Sequence, residues 1–212
     1  RPVGLSRRVS WGPLPTVFPM KRIVVFCGAS GGHDPVFAAQ AFRAGQYLAE
    51  NGIELVYGGA RVGLMGAVAD GTLQGGGRVT GVLPRFLRTK EVAHEHVSEL
   101  ILVDTMHERK LKMHELPDGV IALPGGYGTL EELFEMLTWA QLGLHAKPVG
   151  LLNTDGFYDP LLALADAITE RGFLKEENRR MLLTARSIED LLAQMRQYRP
   201  PAAPKCMTKE QT

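Results

Sequence analysis

Apolar positions along this chain fall into two alternating rhythms. Short, mostly apolar runs at residues 23–27 (IVVFC), 53–57, 79–83, 100–103, 120–123 and 149–152 read as strands, and those at 23–27 and 120–123 have the make-up of strands buried on both faces. Between them the apolar residues recur at helical spacing. Asp34 and Pro35 form an N-cap and N1 pair for a helix that Asn51-Gly52 closes. A small-residue helix follows Gly63, and further helices are expected at 105–115, 160–171 and 187–198, the last with Ser187 and Asp190 as a capping pair. Residues 84–98 read as a loop with a short helix. Alternation of this kind predicts an α/β fold, a mostly parallel sheet with helices on both faces, whose ligands sit beyond the carboxyl ends of the strands.

Three of the strands run into glycine clusters, at 28–32, 58–66 and 125–128, so the three turns are expected on one edge of the sheet. The third is the richest. The run 120–123 meets Pro124-Gly125-Gly126-Tyr127-Gly128, then Thr129 with Glu132 three residues on, which reads as a capping box. Leu130, Leu133, Phe134, Leu137 and Ala140 give the following helix a buried face. A strand, a glycine turn and a helix N-terminus make an anion site, because the first amides of a helix lack internal partners and carry the positive end of its dipole. A tight turn that binds nothing is the plain alternative, but three glycines exceed what a turn needs.

The chain has 212 residues, 45% hydrophobic and 22% charged, enough for one domain with a large core. Its net charge of +1 makes no case for nucleic acid or an acidic membrane. Two cysteines, Cys27 and Cys206, form no disulfide framework and suit a reducing cytoplasm. Residues 1–19 are rich in proline and arginine and lack any period, so the folded unit, and with it the natural reading frame, is expected to start at Met20. The unit is expected to run over 20–198, with 199–212 a disordered tail.

The glycine turns narrow the ligand. Glu131 stands where a dinucleotide fingerprint needs its third glycine, and no Lys-Ser/Thr pair follows a turn as in a P-loop. A single phosphate or a mononucleotide remains, with Glu132 placed in the first helical turn beside it. Glu132 has two even readings at this point: the cap of Thr129, or a carboxylate that polarises water or steadies the oxocarbenium-like state of glycosidic cleavage. In 105–112 (TMHERKLK), Arg109 and Lys110 are donors for a phosphate or carboxylate. On its own, a solvated face with Glu108 paired to Lys112 is the commoner outcome. His94 and His96 lack a third metal ligand and read as surface residues, while Tyr57, Trp139 and the methionines read as core.

Met106-His107-Glu108-Arg109-Lys110 followed by Pro124-Gly125-Gly126-Tyr127-Gly128-Thr129-Leu130-Glu131-Glu132 resembles the LOG family of cytokinin riboside 5′-monophosphate phosphoribohydrolases. The resemblance extends over 21–198, through CGAS (27–30), VYGGARVGLMG (56–66) and TWAQLGLHAKPVGLLN (138–153). It implies a Rossmann-like doubly wound fold, a cytoplasmic homodimer with sites near the subunit interface, and hydrolysis of N6-modified adenosine monophosphates to free base and ribose 5-phosphate without metal or cofactor. By the same resemblance Arg109 and Glu132 match the catalytic pair. Glu91, Lys110, the loop Gly125, Gly126, Tyr127, Gly128, Thr129, Leu130 and Glu131, and Thr138 match nucleotide-contacting positions. Ala29 and Ala60 depart from the family pattern near the expected base or ribose. A general AMP nucleosidase, a nucleotide-binding module without catalysis, and a lysine decarboxylase are the competing readings; for the last, nothing marks a Schiff-base lysine with its pyridinium partner.

Overall fold

The computed structural model describes residues 20–88 and 93–201. The chain order is β1 (Arg22–Phe26), α1 (Pro35–Glu50), β2 (Glu54–Tyr57), α2 (Gly63–Gln74), β3 (Val79–Pro84), β4 (Glu99–Val103), α3 (Met106–Glu115), β5 (Gly119–Ala122), α4 (Tyr127–Gln141), β6 (Val149–Leu152), α5 (Asp159–Glu170), α6 (Glu176–Arg179), β7 (Leu182–Ala185) and α7 (Ile188–Gln197). Short 3₁₀ turns lie at Arg85–Leu87 and Thr154–Gly156. The seven strands are all parallel, in the order β4-β3-β2-β1-β5-β6-β7. The chain winds outward from β1 to β4, then returns to lay β5 beside β1. That reversal makes the β1/β5 boundary the switch point, where the loops after the two strands part and leave a crevice.

Period-2 alternation sends neighbouring residues of each strand to opposite faces. Ile23 and Val25 of β1 pack with Ala41, Ala44 and Leu48 of α1, Leu64 and Val68 of α2, and Leu191 and Met195 of α7. Val24 and Phe26 pack instead with Met113 of α3 and Leu133 and Met136 of α4. Both faces are therefore covered, as the apolar make-up of the central strands requires. Truncating a side chain such as Leu133, which is fully buried, costs about 2–5 kcal/mol.

Helix α1 starts where expected. Asp34 Oδ1 accepts the Val36 amide at 2.9 Å, Pro35 takes the first helical position, and Gly52 follows with φ of 65°. Glycines bring α1 and α2 together backbone to backbone: a Cβ on Gly45 would strike the Val68 carbonyl, and one on Gly71 the Phe42 carbonyl.

Strand β7, the short helix α6 and the start of α4 differ from expectation. Strand β7 forms a seventh, edge strand; Thr184 breaks its short apolar run. Helix α4 begins at Tyr127 rather than after Thr129, because Gly126 supplies an extended N-cap (φ −95°, ψ −153°) with no side-chain cap. Thr129 is thus inside the first turn and no capping box joins it to Glu132. A side-chain cap instead opens α3, where Thr105 Oγ1 accepts the Glu108 amide at 3.1 Å and Glu108 Oε2 accepts the Asp104 amide at 2.8 Å. The Glu108–Lys112 pair does not form, and Lys112 lies 3.6 Å from Glu115. Ser187 and Asp190 cap α7 as expected.

Candidate active site

The loops after β1, β2 and β5 do share one edge of the sheet. They enclose a cavity of about 250 Å³ lined by Cys27, Gly28, Ala29, Gly58, Met65, Arg109, Met113, Gly126, Gly128, Thr129 and Glu132, with Val25 and Phe26 beneath. A second cavity of about 360 Å³ shares Gly28, Ala29 and Gly126 with it and extends over Gly125 to Phe37, Leu64 and Phe157.

Arg109 is buried rather than on a solvated face. Its Nη2 donates to the Gly58 carbonyl at 3.0 Å and its Nε to the Val82 carbonyl at 3.2 Å, so two strand ends fix the guanidinium in the cavity wall. Gly58 has no room for a side chain there, since a Cβ would lie 2.3 Å from Arg109 Nη2. This service of Gly58 was not legible from the second glycine cluster. Met65 and Met113 are buried, as core methionines should be, and also line the cavity.

Gly126, Gly128 and Thr129 put the N-terminus of α4 on the same space. The amides of Tyr127, Gly128 and Thr129 precede the first helical bond, in which Leu130 donates to the Gly126 carbonyl at 3.1 Å. Gly126 and Gly128 have nothing within 4 Å of where a Cβ would stand, so they border open space, whereas Gly125 is crossed closely by Thr129 Oγ1. The early start of α4 also moves Glu132 out of the first turn. It lies five residues beyond Tyr127, about 7.5 Å along the axis, far enough for an anion at the helix end and a carboxylate to address different parts of one ligand.

Burial pushes the Glu132 carboxyl up to about 7, against the opposing pull of Arg109; Glu131 raises it and Lys110 lowers it. Burial and the Glu132 charge likewise push the Cys27 thiol up, which keeps it neutral and a poor nucleophile. A carboxyl poised near neutrality, a fixed guanidinium and a helix N-terminus on one cavity suit acid–base or electrostatic work on a phosphorylated ligand.

The remaining expected residues are placed elsewhere. Lys110 and Glu131 pair with each other at 2.5 Å on the outer side of α3 and α4. Tyr127 is almost fully exposed, and Leu130 packs against the core. Thr138 lines an apolar groove with Phe134, Leu161, Leu164 and Phe173, away from the cavity. Ala60 is fully buried and bridged to Ala93, so of the two departures from the family pattern only Ala29 lines the cavity. His94 is buried, not on the surface, and its Nε2 lies 2.9 Å from Asp70. Glu91 lies outside the described residues. Among the described residues no group of three His, Cys, Asp or Glu is arranged to hold a metal, and no helix is long and apolar enough to cross a membrane.

Sheet order and crevice define a doubly wound α/β protein with a cavity at its switch point, where folds of this class bind their ligands. Comparisons with known proteins sharpen that class. Residues 65–195 match a family model described as "Possible lysine decarboxylase". A rice (Oryza sativa subsp. japonica) protein named a probable cytokinin riboside 5′-monophosphate phosphoribohydrolase is 52% identical over 177 residues, covering 84% of this chain and 79% of its own. An Arabidopsis thaliana protein named a cytokinin riboside 5′-monophosphate phosphoribohydrolase is 48% identical over 180 residues, 85% of this chain and 83% of its own. Among solved structures, the molybdenum cofactor binding protein of Rippkaea orientalis superposes with a TM-score of 0.62 at 26% identity, over 82% of this chain and 94% of that one. The chain belongs to the LOG family of cytokinin riboside 5′-monophosphate phosphoribohydrolases.

Proposed function

We propose that this protein hydrolyses the N-glycosidic bond of N6-modified adenosine 5′-monophosphates, giving the free base and ribose 5-phosphate. The observation that carries the proposal is the meeting of Arg109, Glu132 and the N-terminus of α4 on one cavity. Family membership supplies the substrate class.

The 5′-phosphate docks on the free amides of Tyr127, Gly128 and Thr129, where the helix dipole favours it. The ribose then lies along α4 toward Glu132, and Arg109 orients the nucleotide. As the C1′–N9 bond lengthens, its electron pair passes to the purine and positive charge grows on the sugar. The Glu132 carboxylate stabilises that charge or takes a proton from the attacking water. Water supplies the new oxygen at C1′, and the departing base gains a proton.

The active assembly is a homodimer in the cytoplasm, built on the domain of residues 20–198. The apolar groove between α4 and α5 supports this: Leu164 and Phe173 are 54% and 85% exposed there, and α5 buries no residue within its own chain. A partner covering that groove brings Thr138 into an interface.

Incubation of purified protein with isopentenyl-AMP and with AMP, followed by chromatography, tests the reaction. Base release from isopentenyl-AMP is expected, and it is expected to be lost in Arg109→Ala and Glu132→Gln. Full-rate hydrolysis by either folded variant would refute their roles. Faster release from AMP would mark a general AMP or purine-nucleotide nucleosidase, binding without release a non-catalytic module, and cadaverine from lysine with added pyridoxal phosphate a decarboxylase.

A further inference from the structure

Behind the cavity, α3 and α4 are joined by a ladder of ionisable side chains that the proposed reaction does not use. Lys110 and His114 stand one turn apart on α3; Glu131, Glu135 and Trp139 stand one turn apart on α4. Lys110 Nζ lies 2.5 Å from Glu131 Oε1 and 3.0 Å from Glu135 Oε1. His114 Nε2 lies 3.2 Å from Glu135 Oε2, and its ring meets Trp139 edge-on at 4.4 Å. Of the α4 side chains in this ladder, Glu135 alone lies against both Lys110 and His114. Lys110 directly follows Arg109 in the chain and Glu131 directly precedes Glu132, so the ladder grips the two helices where they present the reacting pair.

Resting on the reading of Arg109 and Glu132 given above, we propose that Glu135 is a positioning residue: through its ion pair with Lys110, packed against the buried His114 ring, it ties α3 to α4 and holds Arg109 and Glu132 on their shared cavity. The Glu131 arm is exposed and contributes little by itself. The Glu135 arm is mostly shielded, with side-chain exposures of 24% for Lys110 and 22% for Glu135, so the 3.0 Å pair between them is held more tightly, while His114 packs beside Glu135 without a hydrogen bond. Lys147 closes the far end by donating to the His114 carbonyl. Burial, with Lys147 and Lys110 nearby, drops His114 to about 4, so at neutral pH its ring is uncharged and Glu135 balances Lys110 alone.

That balance reaches Glu132. The charged and titratable groups around its carboxyl are Arg109 and Lys110 from α3, Glu131 and Glu135 from its own helix, and Cys27 from the end of β1. Lys110 favours ionisation of Glu132, and Glu131 with Glu135 offsets it.

Glu135→Gln keeps the shape and removes the charge. In this variant the Glu132 titration, followed by ¹³C NMR of the carboxyl, is expected to move down, since one of the negative charges that raise it is gone. The acid limb of the kcat–pH profile should move with it. The plateau kcat should fall about tenfold while KM stays within about threefold, since the defect lies in alignment rather than in docking. If Glu135→Gln does not fold, Glu135→Asp replaces it, with the charge kept, the reach shortened, the Glu132 midpoint unmoved and the plateau kcat about threefold lower or more. A wild-type plateau kcat in the folded variant overturns the proposal. Should the unmodified protein release no base from any nucleoside monophosphate, the reading of the site fails on its own. The NMR midpoint, which needs no substrate, then judges the ladder, and an unmoved midpoint in Glu135→Gln overturns it.

Discussion

Gly58→Ala tests whether the pocket depends on where Arg109 is held rather than on its mere presence. The added methyl would stand 2.3 Å from Arg109 Nη2 and 2.8 Å from Met65 Sδ. To regain an ordinary contact of 3.4 Å the guanidinium must retreat by about 1.1 Å, which is 3.4 minus 2.3. Its bonds to the Gly58 and Val82 carbonyls, at 3.0 and 3.2 Å, then cannot both survive. Overpacking of this kind costs about 1–3 kcal/mol of stability, a modest fraction of what a domain of this size holds. Misplacing a group that orients the substrate by about 1 Å costs on the order of 100-fold in rate, or about 2.7 kcal/mol of barrier. The expected result is therefore a folded protein with a small loss of Tm and roughly a hundredfold lower kcat/KM for isopentenyl-AMP. Thermal melts and steady-state base release measure the two quantities on one sample. Wild-type kcat/KM in Gly58→Ala would show that the carbonyl-held position of Arg109 does not matter.

The glycines of the α4 turn should separate stability from binding. Gly125→Ala collides with Thr129 Oγ1 and should lower stability by about 1–3 kcal/mol, whereas Gly128→Ala faces open space, should leave Tm within a few degrees, and should raise KM about tenfold where a phosphate belongs; equal Tm values for the two would contradict the packing. Glu132 is held near 7 from an ordinary 4.5, so the folded state keeps a proton that the unfolded chain gives up, and stability falls as pH rises from about 4.5 through about 7. Glu132→Gln removes that loss and should be more stable than the parent by up to about 3 kcal/mol at pH 8 but not at pH 4, checked by urea unfolding at both. Leu164→Glu in the apolar groove should yield a monomer in sedimentation velocity where the parent sediments as the proposed dimer; a monomeric parent would refute the dimer, and an unchanged dimer would place the interface elsewhere.

The strand–helix alternation was readable because parallel strands buried on both faces leave apolar runs that no surface helix shares. Strand β7 escaped because Thr184 breaks its short apolar run, whereas the other edge strand, β4, keeps four apolar residues in a row from Leu100 to Val103 although it too is half-exposed. That the α4 turn borders open space was legible in Gly126 and Gly128. The first residue of α4 was not, since a glycine N-cap acts through backbone conformation and a nearby Thr-x-x-Glu mimics a cap. Arg109 illustrates a different limit: composition places it on a polar helix face, and only the carbonyls of Gly58 and Val82, 51 and 27 residues away in the chain, make it a wall of the cavity. His94 was misplaced for the same reason, its partner Asp70 lying on α2.

The contact of α1 with α2 through Gly45 and Gly71 has a dynamic corollary. Two backbones meshed this closely cannot slide without opening a void along the whole seam, so the loops they carry, after β1 and after β2, travel as a single body. Any breathing that lets a spent purine escape must then come from the opposite shore of the crevice, where α3 and α4 meet through long side chains that can let go and re-form.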